Sequence, residues 1–160
     1  MSVIENSVTL QVTPDEVFAL ITEPDRLRRW MAVSARIDLH AGGAYRFMMT
    51  PGHSAVGEIV EVVPGKLLSF TWNWDLANEQ ALQPAGTVSI EIEPVADGTR
   101  VTLRHEGLPE DQIAGHSEGW DHFMGRLETV ASLGDAGWDE WTSGPEDGMD
   151  LYLAAEASLA

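Results

Sequence analysis

Two histidines and a set of aromatic and methionine side chains are the residues of this chain best suited to chemistry or to holding a ligand. His105 ends a stretch in which Val101, Leu103 and His105 alternate with Arg100, Thr102 and Arg104, the period-two pattern of a half-buried strand. His116 lies within about 40° of Trp120 on a helical wheel of about 100° per residue. It therefore shares a side with Ile113, Trp120, Phe123, Met124, Leu127 and Val130, the apolar stripe of a predicted helix. A partly buried imidazole titrates near neutral pH and can orient a ligand or move a proton. A hydrogen-bonded structural histidine is the commoner outcome. His122 falls on the opposite side of that helix near Glu118 and reads as a surface pair. His40 and His53 lie near turns and are expected to face solvent.

The aromatic residues point the same way. Ala44 to Thr50 places Tyr45, Phe47 and Met49 on one face, and Lys66 to Trp74 places Leu68, Phe70, Trp72 and Trp74 on one face. Trp30 and Met31 lie at the end of a short predicted helix near the N-terminus, where the short helices are expected to meet the interior. With His105, His116, Trp120, Phe123 and Met124, these residues are expected to surround one interior space. Pockets for apolar ligands are lined in this manner, by aromatics and adaptable methionines with few polar groups. The same side chains also make an ordinary core, so residue type alone leaves both readings open.

The usual catalytic sets are missing. No G-x-S-x-G elbow, H-E-x-x-H pair or phosphate-cradling glycine loop occurs. Gly42-Gly43 leads into a strand rather than a helix, so no helix dipole would face a phosphate there. Glu58 and Glu61 are expected on opposite faces of one strand, which rules them out as a carboxylate pair. A metal needs three converging ligands and only two inward histidines are in view, so neither metal nor other cofactor is expected. The chain has no cysteine, hence no disulfide framework and no thiolate nucleophile. No catalytic residue is assigned, and the reading leans away from an enzyme.

At 160 residues and 44% hydrophobic content the chain is sized for one domain with its own core. The net charge of −17 repels phosphate backbones and anionic lipid heads, which excludes nucleic acid and acidic membranes as natural partners. No apolar run approaches the roughly 20 residues of a membrane helix. Met1 to Leu10 lacks the basic flank and apolar block of a signal peptide, so a cytoplasmic location is the default. After Arg126 there is no Lys or Arg, while Asp135, Asp139, Glu140, Glu146, Asp147, Asp150 and Glu156 follow. Such runs are usually solvated; docking onto a basic partner is the alternative.

The elements that must position these residues can be read from pattern. Val3 to Val12 alternates as a first strand. Thr13 caps a helix whose first turn holds Pro14, Asp15 and Glu16, and a second short helix runs from Pro24 to Trp30. Strands are predicted over Val33 to Leu39, Ala44 to Thr50, His53 to Val63, Lys66 to Trp74, Gly86 to Val95 and Gly98 to about Glu106. Pro51-Gly52, Pro64-Gly65 and Ala96-Asp97-Gly98 turn the chain, and Asp75 to Ala85 reads as a polar loop. A long helix from about Pro109 to Ser132 follows, roughly 30–35 Å long at about 1.5 Å per residue. The pattern is α+β: one curved antiparallel seven-stranded sheet around one long helix. Residues 133 to 160 form an acidic extension rich in Gly breaks, with Trp138 and Trp141 and a possible terminal helix from Met149 to Leu159. Its apolar residues predict packing on the domain or on a partner.

The order strand, two helices, six strands and long helix resembles the START-like, birch-pollen-allergen-like helix-grip superfamily. Within it, the chain is similar to the bacterial branch named after the activator of the heat-shock-protein-90 ATPase. Four stretches carry the likeness: P-D-R-L-R-R-W at 24 to 30, D-L-H-A-G-G-A-Y-R-F at 38 to 47, G-E-I-V-E-V-V-P-G-K-L-L-S-F-T-W at 57 to 72, and G-T-R-V-T-L-R-H-E-G-L with the later G-W-D-H-F-M-G-R-L. Together they span residues 1 to 132. The resemblance implies a domain built to enclose a small apolar molecule between sheet and helix, and this is the leading functional expectation. A co-chaperone-like or other protein-interaction module, including a homodimer, is the second. A cyclase- or hydrolase-type enzyme using an inward histidine is the third.

Overall fold

The computed structural model describes residues 3–50, 53–76, 83–137 and 139. The elements run in the order β1 (Ile4–Leu10), α1 (Pro14–Thr22), α2 (Pro24–Leu27), β2 (Ser34–Ile37), β3 (Ala44–Thr50), β4 (His53–Val63), β5 (Leu67–Leu76), β6 (Gln83–Val95), β7 (Gly98–Glu106) and α3 (Glu110–Leu133). The strands form a single seven-stranded sheet in the order β1-β7-β6-β5-β4-β3-β2, and every pairing is antiparallel. The first strand thus closes beside the last, and the two short helices bridge from β1 to the far edge. This is the expected α+β helix-grip architecture.

Local chemistry accounts for the helix ends. The Thr13 hydroxyl accepts from the Glu16 N–H at 3.2 Å, and Pro14 occupies the first turn of α1, both placing the start of the helix. The last turn of α3 ends on Gly134, whose φ of 87° is left-handed and whose N–H meets the Val130 carbonyl at 2.7 Å. A residue with a Cβ would resist that conformation. The expected Pro24 to Trp30 helix is shorter than its pattern. Only Pro24–Leu27 is helical, and Arg28 to Met31 is a turn in which the Met31 and Ala32 N–H groups still reach the Leu27 carbonyl. That turn tips Trp30 inward, where its indole N–H donates to the Leu20 carbonyl at 2.8 Å.

Alternation along the strands sets the core. Leu68, Phe70 and Trp72 of β5, Val88, Ile90 and Ile92 of β6, and Val101, Leu103 and His105 of β7 are all buried on the concave face. Against them α3 buries Trp120, Phe123, Met124, Leu127 and Val130. Each large apolar side chain removed from water contributes about 1.5–3 kcal/mol. The opposite face is polar. There Arg104 of β7 reaches Glu5 on one side and Glu91 on the other, both at 2.8 Å.

Several boundaries differ from the sequence pattern. β5 extends to Leu76 and β6 begins at Gln83, so the two ends of the expected 75–85 loop are strand, and 77–82 lie outside the described residues. Register shifts lie in β3–β4 near Met48, in β4–β5 between Ile59 and Glu61, and in β5–β6 between Thr71 and Asn73. Such bulges break strict alternation. Glu58 and Glu61 are consequently both exposed rather than on opposite faces, and Met48 is buried beside Phe47 and Met49. The turn at 51–52, Trp138, Trp141 and the expected helix at 149–159 lie outside the described residues.

Gly86 sits at the irregular start of the β6–β7 pairing with φ of 90°, and a Cβ there would lie 1.8 Å from the Glu106 carbonyl oxygen. Gly86→Ala is expected to destabilise the fold by about 1–3 kcal/mol, read as a lowered urea midpoint. An unchanged midpoint would show that this end of the sheet has slack.

Candidate functional site

The interior between the sheet and α3 is organised around three indoles and two imidazoles. Trp72 and Trp74 project from β5, His105 from the end of β7, and His116 and Trp120 from the first half of α3. Ring centroids lie 5.2 Å apart for Trp72 and Trp120, 5.4 Å for Trp72 and Trp74, 5.6 Å for Trp72 and His105, and 5.4 Å for the two imidazoles. Most of these pairs are edge-on or tilted, the arrangement that the ring quadrupoles favour.

Hydrogen bonds fix the roles of the imidazole nitrogens. Trp120 Nε1 donates to His105 Nδ1 at 3.0 Å, and Trp74 Nε1 donates to His116 Nε2 at 3.1 Å. An indole N–H can only donate, so both receiving nitrogens act as acceptors and carry no proton in this geometry. His116 Nδ1 then donates to the Gln112 carbonyl at 2.9 Å. Its neutral tautomer is set by a helix carbonyl on one side and an indole on the other. His105 is fully buried and bonded to the same helix through Trp120. Each imidazole therefore ties α3 to the sheet.

Ile21, Leu27, Trp30, Met31, Phe47, Phe70, Ile90 and Trp120 line a cavity of about 10 Å³, room for one water at most. Of the candidates read from sequence, Trp30, Met31, Phe47, Phe70 and Trp120 meet at that cavity. Trp72, His105 and His116 form the neighbouring polar-tipped cluster. Tyr45 packs beside Phe47 and Phe70 at centroid distances of 4.7 and 5.0 Å. Its hydroxyl donates to the Thr71 carbonyl at 2.5 Å, and burial pushes its pKa well above the ordinary phenol range. Met49, Phe123 and Met124 are buried in the same core but do not line the cavity. Ile21, Leu27 and Ile90 were not singled out. Their apolar positions were legible in α1, α2 and β6, but no sequence signal brings those three elements together.

His122 departs from expectation. Its Nε2 lies 3.0 and 3.1 Å from the two oxygens of Asp139, which is itself buried, instead of pairing with Glu118. Arg126 shares that carboxylate at 3.3 Å, donates to the Trp30 carbonyl at 2.9 Å and reaches the Gly137 carbonyl at 2.8 Å. The start of the acidic extension is thereby fastened beside the turn that carries Trp30. Among the described residues no group of three or more His, Asp or Glu is placed to hold a metal ion. No helix among them is long and apolar enough to cross a membrane.

A curved antiparallel sheet gripping a C-terminal helix, with short helices after the first strand, defines a START-like helix-grip protein. The chain belongs to the family of activator of Hsp90 ATPase homolog 1-like proteins, whose pattern matches residues 11–132. An AHSA1-like protein from Rhizobium etli is 35% identical, with 91% of this chain and 90% of that one covered and a TM-score of 0.69. Two more distant structures share the fold. DynU16, a protein of the dynemicin biosynthetic locus, is 22% identical with a TM-score of 0.73 over 89% of this chain; this chain spans about half (52%) of its length. The Aha1 dimer from Colwellia psychrerythraea is 19% identical with a TM-score of 0.71, covering 84% of this chain and 98% of that one. Among curated proteins no match was found. Family and fold together support a ligand-binding or Aha1-like domain.

The Trp120–His105 bond predicts an asymmetry. Trp120→Phe leaves a buried imidazole acceptor without its donor and should cost about 1–3 kcal/mol, whereas Trp74→Phe at the half-buried His116 should cost about 0.5–1.5 kcal/mol. Urea unfolding of both variants checks this. Equal costs would mean that the buried bond is not what holds α3 at this point.

Proposed function

We propose that the chain binds a small, largely apolar molecule between the sheet and α3, by opening of the grip rather than by filling a preformed cavity. The observation that carries this reading is how the helix is held. Its backbone lies close to the sheet along β1, whereas across β4 to β6 it is held off by large side chains. Those side chains include Phe70, Trp72, Trp120 and Met124, with Met31 closing from the short-helix side. The flexible thioethers of Met31 and Met124 can change rotamer and give way to a ligand of similar chemistry. The cavity among Trp30, Met31, Phe47 and Phe70 marks the point from which such an opening would start.

A second reading, self-association or docking on a protein partner, is favoured by the dimeric state of the Colwellia structure. The described surface offers it only scattered apolar residues, chiefly Val60 and Leu133. A catalytic histidine is the least supported of the three readings. His105 and His116 both use an acceptor nitrogen to receive an indole N–H, so a base role would first require breaking that bond.

Titration with isopropenylnaphthalene, followed in the nitrogen–proton correlation spectrum, tests the proposal. Saturable one-to-one binding is expected, with shifts concentrated on the indole N–H signals of Trp30, Trp72 and Trp120. Absence of saturation, or shifts spread over the outer strand faces, would count against an interior site.

A further inference from the structure

Four tryptophans lie in the described chain, and three of their indole N–H groups have acceptors. Trp30 donates to the Leu20 carbonyl, Trp74 to His116 and Trp120 to His105. The fourth, Trp72, is 2% exposed and its Nε1 has no hydrogen-bond partner. A buried donor left unmatched costs about 1–3 kcal/mol, which makes an orphan at the centre of the grip worth explaining. None of the rings packed against it supplies an acceptor. The rings around it are Phe70, Trp74, Trp120 and His105. Phe70 is apolar, the two indoles only donate, and His105 Nδ1 already receives Trp120. The acceptor nitrogen of His116 is likewise taken by Trp74. A water placed there would need two to four polar partners, and those nitrogens are engaged.

We propose that Trp72 Nε1 is the orienting donor of the ligand site, and that the molecule bound there is apolar except for a hydrogen-bond acceptor, a carbonyl or ether oxygen, seated against this indole. This inference rests on the interior-ligand reading above and adds to it a chemical class. The site rewards an acceptor, because binding one relieves the unmatched N–H. It gives nothing to a hydroxyl or amine proton at that point, because each nearby nitrogen identified as an acceptor is already in use. Selection among molecules of one shape would therefore run by the position of an oxygen rather than by size, since a buried polar group left unpaired discriminates more sharply than an extra methylene. Trp72 is here a positioning residue.

A matched pair of probes separates the inference from the reading beneath it. Acetylnaphthalene carries a carbonyl oxygen where isopropenylnaphthalene carries a methylene group, with nearly the same shape. The wild-type protein is expected to bind the ketone about tenfold more tightly. In Trp72→Phe, which keeps a ring but removes the donor, the ratio of the two affinities should fall to about one, whatever the change in the hydrocarbon's own affinity. Equal binding of the two probes by the wild type, or a preference that survives in Trp72→Phe, overturns the inference and leaves an apolar site standing. Binding of neither probe overturns both. If Trp72→Phe fails to fold, the wild-type spectrum decides instead. The Trp72 indole proton should move downfield with the ketone and not with the hydrocarbon, and identical shifts would refute the donor role.

Discussion

A sheet whose concave face carries Leu68, Phe70, Trp72, Val88, Ile90, Val101 and Leu103 must be covered, and α3 is the element long enough to cover it. The apolar stripe of that helix supplies the burial. The stripe and the facing strand β5 also carry the indoles of Trp120, Trp72 and Trp74, and burying an indole N–H without an acceptor costs about 1–3 kcal/mol. The interior therefore needs imidazoles as well as hydrocarbon. His105 and His116 fill that need, one from the sheet and one from the helix, each taking an indole from the opposite layer. The grip is held by burial and set in register by those two bonds.

The rest of the molecule supports this arrangement. α1 and α2 close one end of the curved sheet and place Ile21, Leu27, Trp30 and Met31 against it. Arg126 reaches from α3 to the Trp30 carbonyl and shares Asp139 with His122, tying the beginning of the acidic extension to the same end. The outward face keeps its charges, with Arg104 between two glutamates. Such exposed pairs contribute little stability, and what they do is keep that face polar. The demands on the interior are stricter. One indole nitrogen there is left over, and its position gives the proposed ligand its chemistry.

Much of this was legible in the sequence. Alternation in β5, β6 and β7 and the helical spacing of α3 place Trp72, His105, Trp120 and Phe123 inside without any structure. The Thr13-Pro14 start of α1 follows from capping chemistry alone. What pattern could not give was pairing. That Trp120 would meet His105 and Trp74 would meet His116 depends on the offset between helix and strands, which no periodicity encodes. Nor could it give the bulges, which move Glu61 outward and bury Met48. His122 and Asp139 stand 17 residues apart across the end of a helix, so spacing suggested the nearer Glu118. The degree of filling was the largest gap, because the same aromatics describe a pocket or a core until their rotamers are known.

A crystal structure of the protein grown with acetylnaphthalene tests the central claim most directly. The account predicts the probe between α3 and strands β5 and β6, with rings such as Trp72, Trp120 and Phe70 moved aside and the carbonyl oxygen within hydrogen-bond distance of Trp72 Nε1. An interior unchanged from the ligand-free packing, with the probe on the outer surface or absent, would contradict it.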